Sequence, residues 1–235
     1  MAAPASDDLV RVRRLPDRGT SDRAVVRGIL DAGLVCHLAY LHGDRPVTVP
    51  TLYGRSADQL FLHGSAASRA MRAGAAGLPV CATVMLLDGL VLARSAFHHS
   101  VNYRSVVIHG EAELLVDDDE KVEALRVLTE HVAPGRWAEV RPPSAQELRA
   151  TTVLRLPLDH AVAKIRAGGV GDDADDLDLP VWAGVVPVGT AYGMPVPAPD
   201  LADGLVPPSS VTRAVSVRAT TGVPAAISAS NGGQR

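Results

Sequence analysis

The chain has 235 residues, 47% hydrophobic and 21% charged, with a formal net charge of −3 and only two cysteines. That length and apolar content suffice for one domain with a full core, while the near-neutral balance and the lack of any lysine–arginine block exclude the broad basic field that nucleic-acid binding needs. No apolar run approaches the roughly 20 residues of a membrane span, the start MAAPASDDLV resembles no export signal, and Cys36 and Cys81 sit in apolar runs as reduced thiols do, so no membrane contact and a cytoplasmic location are expected.

Residues 1–19 are polar and contain proline, which reads as an N-terminal arm. Thr20, Ser21 and Asp22 then offer N-caps, Val25, Val26, Ile29 and Leu30 recur at helical spacing, and Gly33 can close the helix in the left-handed conformation. LVCHLAYL, the turn HGDR and PVTVPTLY form a hairpin, with Val47 and Val49 on one face. GRSAD turns into a third strand, QLFLHG, which leads through Ser65 into the short helical run ASRAMRAG. VCATVMLLDGLVLA and YRSVVIHGEAELLV are two long strand-like runs separated by RSAFHHSVN. DDDEKVEALRVLTEHV and PPSAQELRATTV are helical, the first opening on aspartates and the second on a capping box, Ser144 to Glu147. TVLRLPLDHAVAKIRAG reads as one last strand and GDDADDLDLP as an acidic loop. Residues 190–235 are rich in Ala, Pro, Ser and Gly without periodicity and read as a disordered tail. Strands joined mostly by hairpins point to an antiparallel barrel.

Two stretches carry chemistry. In LFLHGSAASRAMRAG a strand bends into a helix at small residues, and free backbone N–H groups at a helix start favour an anion. Ser65 and Ser68 add hydroxyls, Arg69 a charge-assisted fork, and Arg72 a second cation one turn on. The alternative is an ordinary surface helix with solvated arginines. No GxxxxGK[ST] or GxGxxG is present, which removes a nucleoside-triphosphate loop and a dinucleotide fold, and no GxSxG supports a serine hydrolase. The second stretch is FHHSVNYRS. His98 and His99 would face opposite ways if extended and have no carboxylate at i+3 or i+4, so no metal site is expected. Asn102, Tyr103 and Arg104 could edge a planar polar ligand or form a polar hairpin loop. Trp182, in LPVWAGVVP, reads as a core residue before a pocket cover.

The succession RPVTVPTLY, DQLFLHGSAASRAMRA and PVCATVMLLDGLVLARSAFHHSVNYRSVVIHGEAELL resembles the pyridoxamine 5'-phosphate oxidase-like, flavin-nucleotide-binding split-barrel family, in particular its nitroimidazole-resistance-related branch. The likeness covers Asp22 to Pro187 and is strongest in LFLHGSAASR and NYRSVVIHG. It implies a mainly β (α+β) fold, a six-stranded antiparallel split β-barrel with flanking helices, occupying residues 20–189 and binding FMN in the groove of a homodimer. Ser68 and Arg69 would then grip the ribityl phosphate, Val49, Pro50, Thr51 and Leu52 would line the isoalloxazine with backbone groups, and His63, Gly64 and Ser65 would lie beside the ribityl chain. Asn102, Tyr103 and Arg104 would approach from the loop or the partner subunit. In the nitroimidazole-resistance branch a histidine on this strand faces the bound compound, which singles out His63. The acidic loop stands where the vitamin B6 oxidases carry an arginine motif for their substrate, so that reaction is not expected.

The activity these features imply is an FMN-dependent oxidoreductase that passes electrons from a donor such as NADH or NADPH to a small organic acceptor, nitroaromatics included. The flavin performs the transfer, so no catalytic side chain is required. The alternative is a non-catalytic carrier or sensor of flavin, deazaflavin or haem, with His63, His98 and His99 as candidate ligands.

Overall fold

The computed structural model describes residues 9–221, with side chains through residue 216. Asp22 caps the first helix as expected: its carboxylate accepts from the N–H groups of Ala24 (2.7 Å) and Val25 (3.3 Å). Helix α1, Arg23–Ala32, buries Val26, Ile29 and Leu30, and Gly33 ends it in an extended conformation (φ −81°), not the left-handed one expected. The hairpin follows as β2, Val35–His42, and β3, Arg45–Ser56, with Gly43 at φ 62° in the turn. Next come β4, Gln59–Ser65, helix α2, Arg69–Ala75, and the long pair β5, Pro79–Leu92, and β6, Ser100–Glu111. Helix α3, Asp118–Val132, starts at the aspartates and is capped by Asp117. Helix α4, Ala145–Ala150, carries the capping box of Ser144 and Glu147.

Among the described residues, ten strands form one antiparallel network, more than the six expected. Three of the additions are short: β1, Gly19–Thr20, pairs with the end of the chain's ninth strand, β7 is Glu113–Leu114, and β10, Gly184–Pro187, adds to β5. The expected last strand is in fact two, β8, Thr151–Pro157, and β9, Ala161–Arg166. Pro157 ends β8, and the backbone carbonyl of Leu158 in the bend accepts from Arg23 of α1. The order is β1-β9-β6-β5-β2-β3-β4-β8-β7. The two ends of the path approach each other, since the His109 N–H on β6 donates to the His160 carbonyl between β8 and β9 at 3.0 Å.

Alternation along the strands divides the interior into two cores. Leu60 and Leu62 of β4 join the main core with Leu38, Tyr53, Ile108, Leu154 and Leu156. Phe61, on the opposite face, packs with Leu115, Ala124, Val127, Leu128 and Val153 beneath α3. The parts of this molecule expected to be structureless are not uniformly so. Residues 190–208 run without regular structure, but Ser209–Thr221 form helix α5, and Ser210 is 0% exposed. Its serines bond to Glu139, a tertiary contact that local composition does not encode. Residues 1–8 of the arm and 222–235 of the tail lie outside the described residues. Among the described residues, no helix is long and apolar enough to cross a membrane.

Candidate functional site

His63 shares the parity of Phe61 on β4, so its ring projects to the side covered by α3. Helix α3 lies close against β3 because residue 54 is glycine: a Cβ there would sit 2.8 Å from the Leu128 Cα. The C-terminal end of α3 is tied down by His131, whose Nε2 lies 2.8 Å from the Gly33 carbonyl oxygen. Between strand and helix a cleft of about 260 Å³ opens, lined by Leu52, His63, Leu125, Leu128, Thr129, Val132, Ala133 and Arg136. Five of these eight residues are apolar, and none is acidic. His63 Nδ1 is buried and has no hydrogen-bond partner among the described residues. Burial lowers the pKa of His63 below its ordinary value, so the imidazole is neutral at pH 7.

The strand-to-helix corner follows directly after His63. Ser65 Oγ accepts from the Ala67 N–H at 3.2 Å, and the Ser68 N–H donates to the Ser65 carbonyl at 2.8 Å, which folds the corner. Gly64 lets α2 come close, since a Cβ there would meet Met71 at 2.9 Å. Ser68 is the N-cap residue of α2, yet its hydroxyl makes no capping bond. Arg69 and Arg72 are exposed, and neither is in an ion pair among the described residues. Neither lines the His63 cleft within one chain. Of the expected isoalloxazine wall, Leu52 lines the cleft and Pro50 is exposed on the outer face of β3, whereas Val49 packs on the main core and Thr51 pairs with buried Cys36. A second cleft of about 300 Å³ is formed within the arm by Arg11, Val12, Arg13 and Pro16 and adjoins none of the expected site residues.

Asn102, Tyr103 and Arg104 stay on β6, away from that cleft. Asn102 is 1% exposed: it donates to the Gly168 carbonyl at 3.0 Å, and its Oδ1 accepts from the Gly168 N–H at 3.1 Å and from Arg166. Arg104 forms a fork with Asp88 at 2.9 and 2.8 Å, and that carboxylate raises the guanidinium pKa. Tyr103 lies between Leu87 and Arg166 in register. His98 Nε2 lies 3.1 Å from Asp173 Oδ2, and the two form a cluster with Asp176 whose ligand atoms are within 4.8 Å of one another. Its carboxylates come from the acidic loop, a placement that spacing around His98 cannot reveal. Trp182 is 66% exposed and stacks near Gly184, so the expected core role is corrected.

The profile of the family described as pyridoxamine 5'-phosphate oxidase matches residues 22–165, more than half of the chain. The chain belongs to that family. Among solved structures, the flavocytochrome Anf3 from Azotobacter vinelandii is 36% identical, with a TM-score of 0.84, over 90% of this chain and 98% of its own. A FAD and haem binding protein from Mycobacterium smegmatis is 38% identical, with a TM-score of 0.81, over 84% of this chain and 97% of its own. A protein described as a 5-nitroimidazole antibiotic resistance protein from Bacteroides thetaiotaomicron is 22% identical, with a TM-score of 0.54, over 63% of this chain and 86% of its own, a likeness of fold. No curated protein sequence matches.

Membership in the pyridoxamine 5'-phosphate oxidase family accounts for the barrel and its antiparallel order. The α3 side of the cleft is what sequence reasoning missed: Leu125, Leu128, Thr129, Val132 and Arg136. The signal available was the apolar stripe of α3, which reads equally well as core packing.

Proposed function

We propose that the chain is a redox protein carrying a flavin and a haem, as the FAD and haem binding protein from Mycobacterium smegmatis does. The observation that carries this reading is the His63 imidazole in a mostly apolar cleft, with its buried Nδ1 lacking a hydrogen-bond partner among the described residues. An unpaired buried polar atom costs about 1–3 kcal/mol, so its retention is explained by a ligand that uses it. A neutral imidazole is the form that coordinates a metal ion. His63 would hold the haem iron, and Leu52, Leu125, Leu128 and Val132 would exclude water from the flat face of the ring. Bound haem would supply one-electron chemistry and bound flavin would accept hydride.

The Ser68 hydroxyl, which makes no capping bond, and Arg69, exposed and without an ion pair among the described residues, support a flavin phosphate at the corner. That contact serves FMN and FAD alike. The resemblance implies FMN, whereas the relative described as binding FAD and haem favours FAD, and FAD is the flavin proposed. Neither cofactor is enclosed by one chain. The outer face of β2, β3 and β5 exposes Leu41 and Met85, each 57% exposed, with Val35, Leu52 and Leu87 beside them. An apolar face of that kind supports a homodimer whose second copy closes the site.

Purified protein, as isolated and after addition of haemin and FAD, should show both flavin and haem absorbance, and mass analysis after acid release should identify the flavin. Protein that binds neither compound would refute the reading. Oxidation of NADH or NADPH by the loaded protein separates an oxidoreductase from a carrier or sensor.

A further inference from the structure

Arg136 sits at the rim of the His63 cleft and is the one cation among its lining residues. Its position is over-determined. Gly135, at φ 91°, starts the turn Arg136–Glu139 in a conformation that favours glycine. The Glu130 carboxylate at the end of α3 accepts from the N–H groups of Gly135 (2.5 Å) and Trp137 (2.9 Å), which fixes the chain on both sides of Arg136. The guanidinium itself is loosely held. Among the described residues it has one side-chain ion pair, to Glu139 of the same turn at 3.3 Å, and a guanidinium has five N–H donors.

Glu139 is also bound by α5. Its oxygens accept from the Ser210 hydroxyl, from the Ser210 N–H at 3.3 Å and from the Ser209 hydroxyl at 3.3 Å, all in the first turn of α5. Ser210 is fully buried in that contact. Helix α5 and Arg136 therefore share one carboxylate, and Arg136 reaches it through a single nitrogen instead of a two-pronged fork.

We propose that Arg136 recognises a carboxylate carried by the cleft ligand, and that α5 keeps the guanidinium available by occupying Glu139. This inference rests on the haem reading. An apolar cleft with an imidazole on one wall and a guanidinium at its rim complements a flat macrocycle bearing a carboxylate, so the group recognised is a haem propionate. Arg136 binds and positions; it takes no part in electron transfer.

The test uses the full chain, with haemin and its dimethyl ester as paired probes, read by absorbance titration. Wild type should bind haemin about tenfold or more tighter than the ester, the scale of one charge-assisted bond. Arg136→Ala should bind both equally with unchanged ester affinity, which also reports that the variant is folded. Ser210→Ala should lower haemin affinity severalfold and spare the ester. Equal binding of both probes by wild type, or an undiminished haemin preference in Arg136→Ala, overturns the inference and leaves the haem reading standing. Wild type that takes up neither probe overturns the haem reading and this inference together.

Discussion

Asn102 and His63 are both sheltered polar side chains on barrel strands, and their surroundings treat them in opposite ways. Asn102 meets donors and acceptors on Gly168 and Arg166, so its amide stitches β6 to the chain beyond β9. His63 meets carbon. Both residue types read from sequence as ligand groups, and only the partner inventory separates them. A saturated polar group is part of the scaffold, whereas one left bare beside a cleft is available to something else.

The largest effect expected from this contrast is on the saturated side. Asn102→Ala strands the Gly168 peptide groups and the Arg166 guanidinium, and should lower unfolding free energy by about 2–4 kcal/mol in urea denaturation. A loss under about 1 kcal/mol would place Asn102 outside the scaffold. On the bare side, Arg69→Ala should weaken flavin binding by about 1.5–3 kcal/mol in a fluorescence titration, with stability changed by less than about 0.5 kcal/mol. Unaltered flavin affinity would remove Arg69 from the site.

A smaller effect concerns pH. Burial holds the folded-state pKa of His63 below 6.5, so the unfolded chain takes up the proton first. The stability this contributes is complete above about pH 6.5 and is lost as pH falls through the folded value. His109, also lowered by burial, acts in the same direction. In ligand-free protein, His63→Ala should flatten part of that decline, seen as a difference between wild-type and variant unfolding midpoints that is constant above about pH 6.5 and changes as pH falls below it. Parallel profiles would show that folding leaves the His63 pKa unshifted. The smallest effect is on thiol reactivity: burial pushes Cys36 up to about 12, and it should resist a thiol reagent until the chain unfolds. Cys81 lies on the outer sheet face proposed for the dimer, and its labelling should slow as protein concentration rises.

Much of the barrel was legible because its determinants are local. Asp22, Asp117 and the Ser144–Glu147 pair cap helices where their side chains reach nearby N–H groups, and the alternation in β4 sends Leu60 and Leu62 one way and Phe61 and His63 the other. The bend at Leu158 was hidden because LRLPLDHAVAKI keeps strand-like content across it. Helix α5 was hidden for a different reason: it is fixed by Glu139, far away in sequence. The site was half legible. His63 and Leu52 stand out by type and place, but the opposite wall depends on how closely Gly54 lets α3 approach, and the commitment of Arg104 to Asp88 depends on a register that spacing does not disclose.

The most direct test is a haemin titration of wild type and His63→Ala, followed by absorbance and paired with urea denaturation of both. Wild type should saturate with the spectrum of histidine-ligated iron. The variant should lose that spectrum and at least about a hundredfold in affinity, while its unfolding free energy in neutral buffer stays within about 1 kcal/mol of wild type. A His63→Ala chain that binds haemin with the same spectrum and affinity would contradict the account.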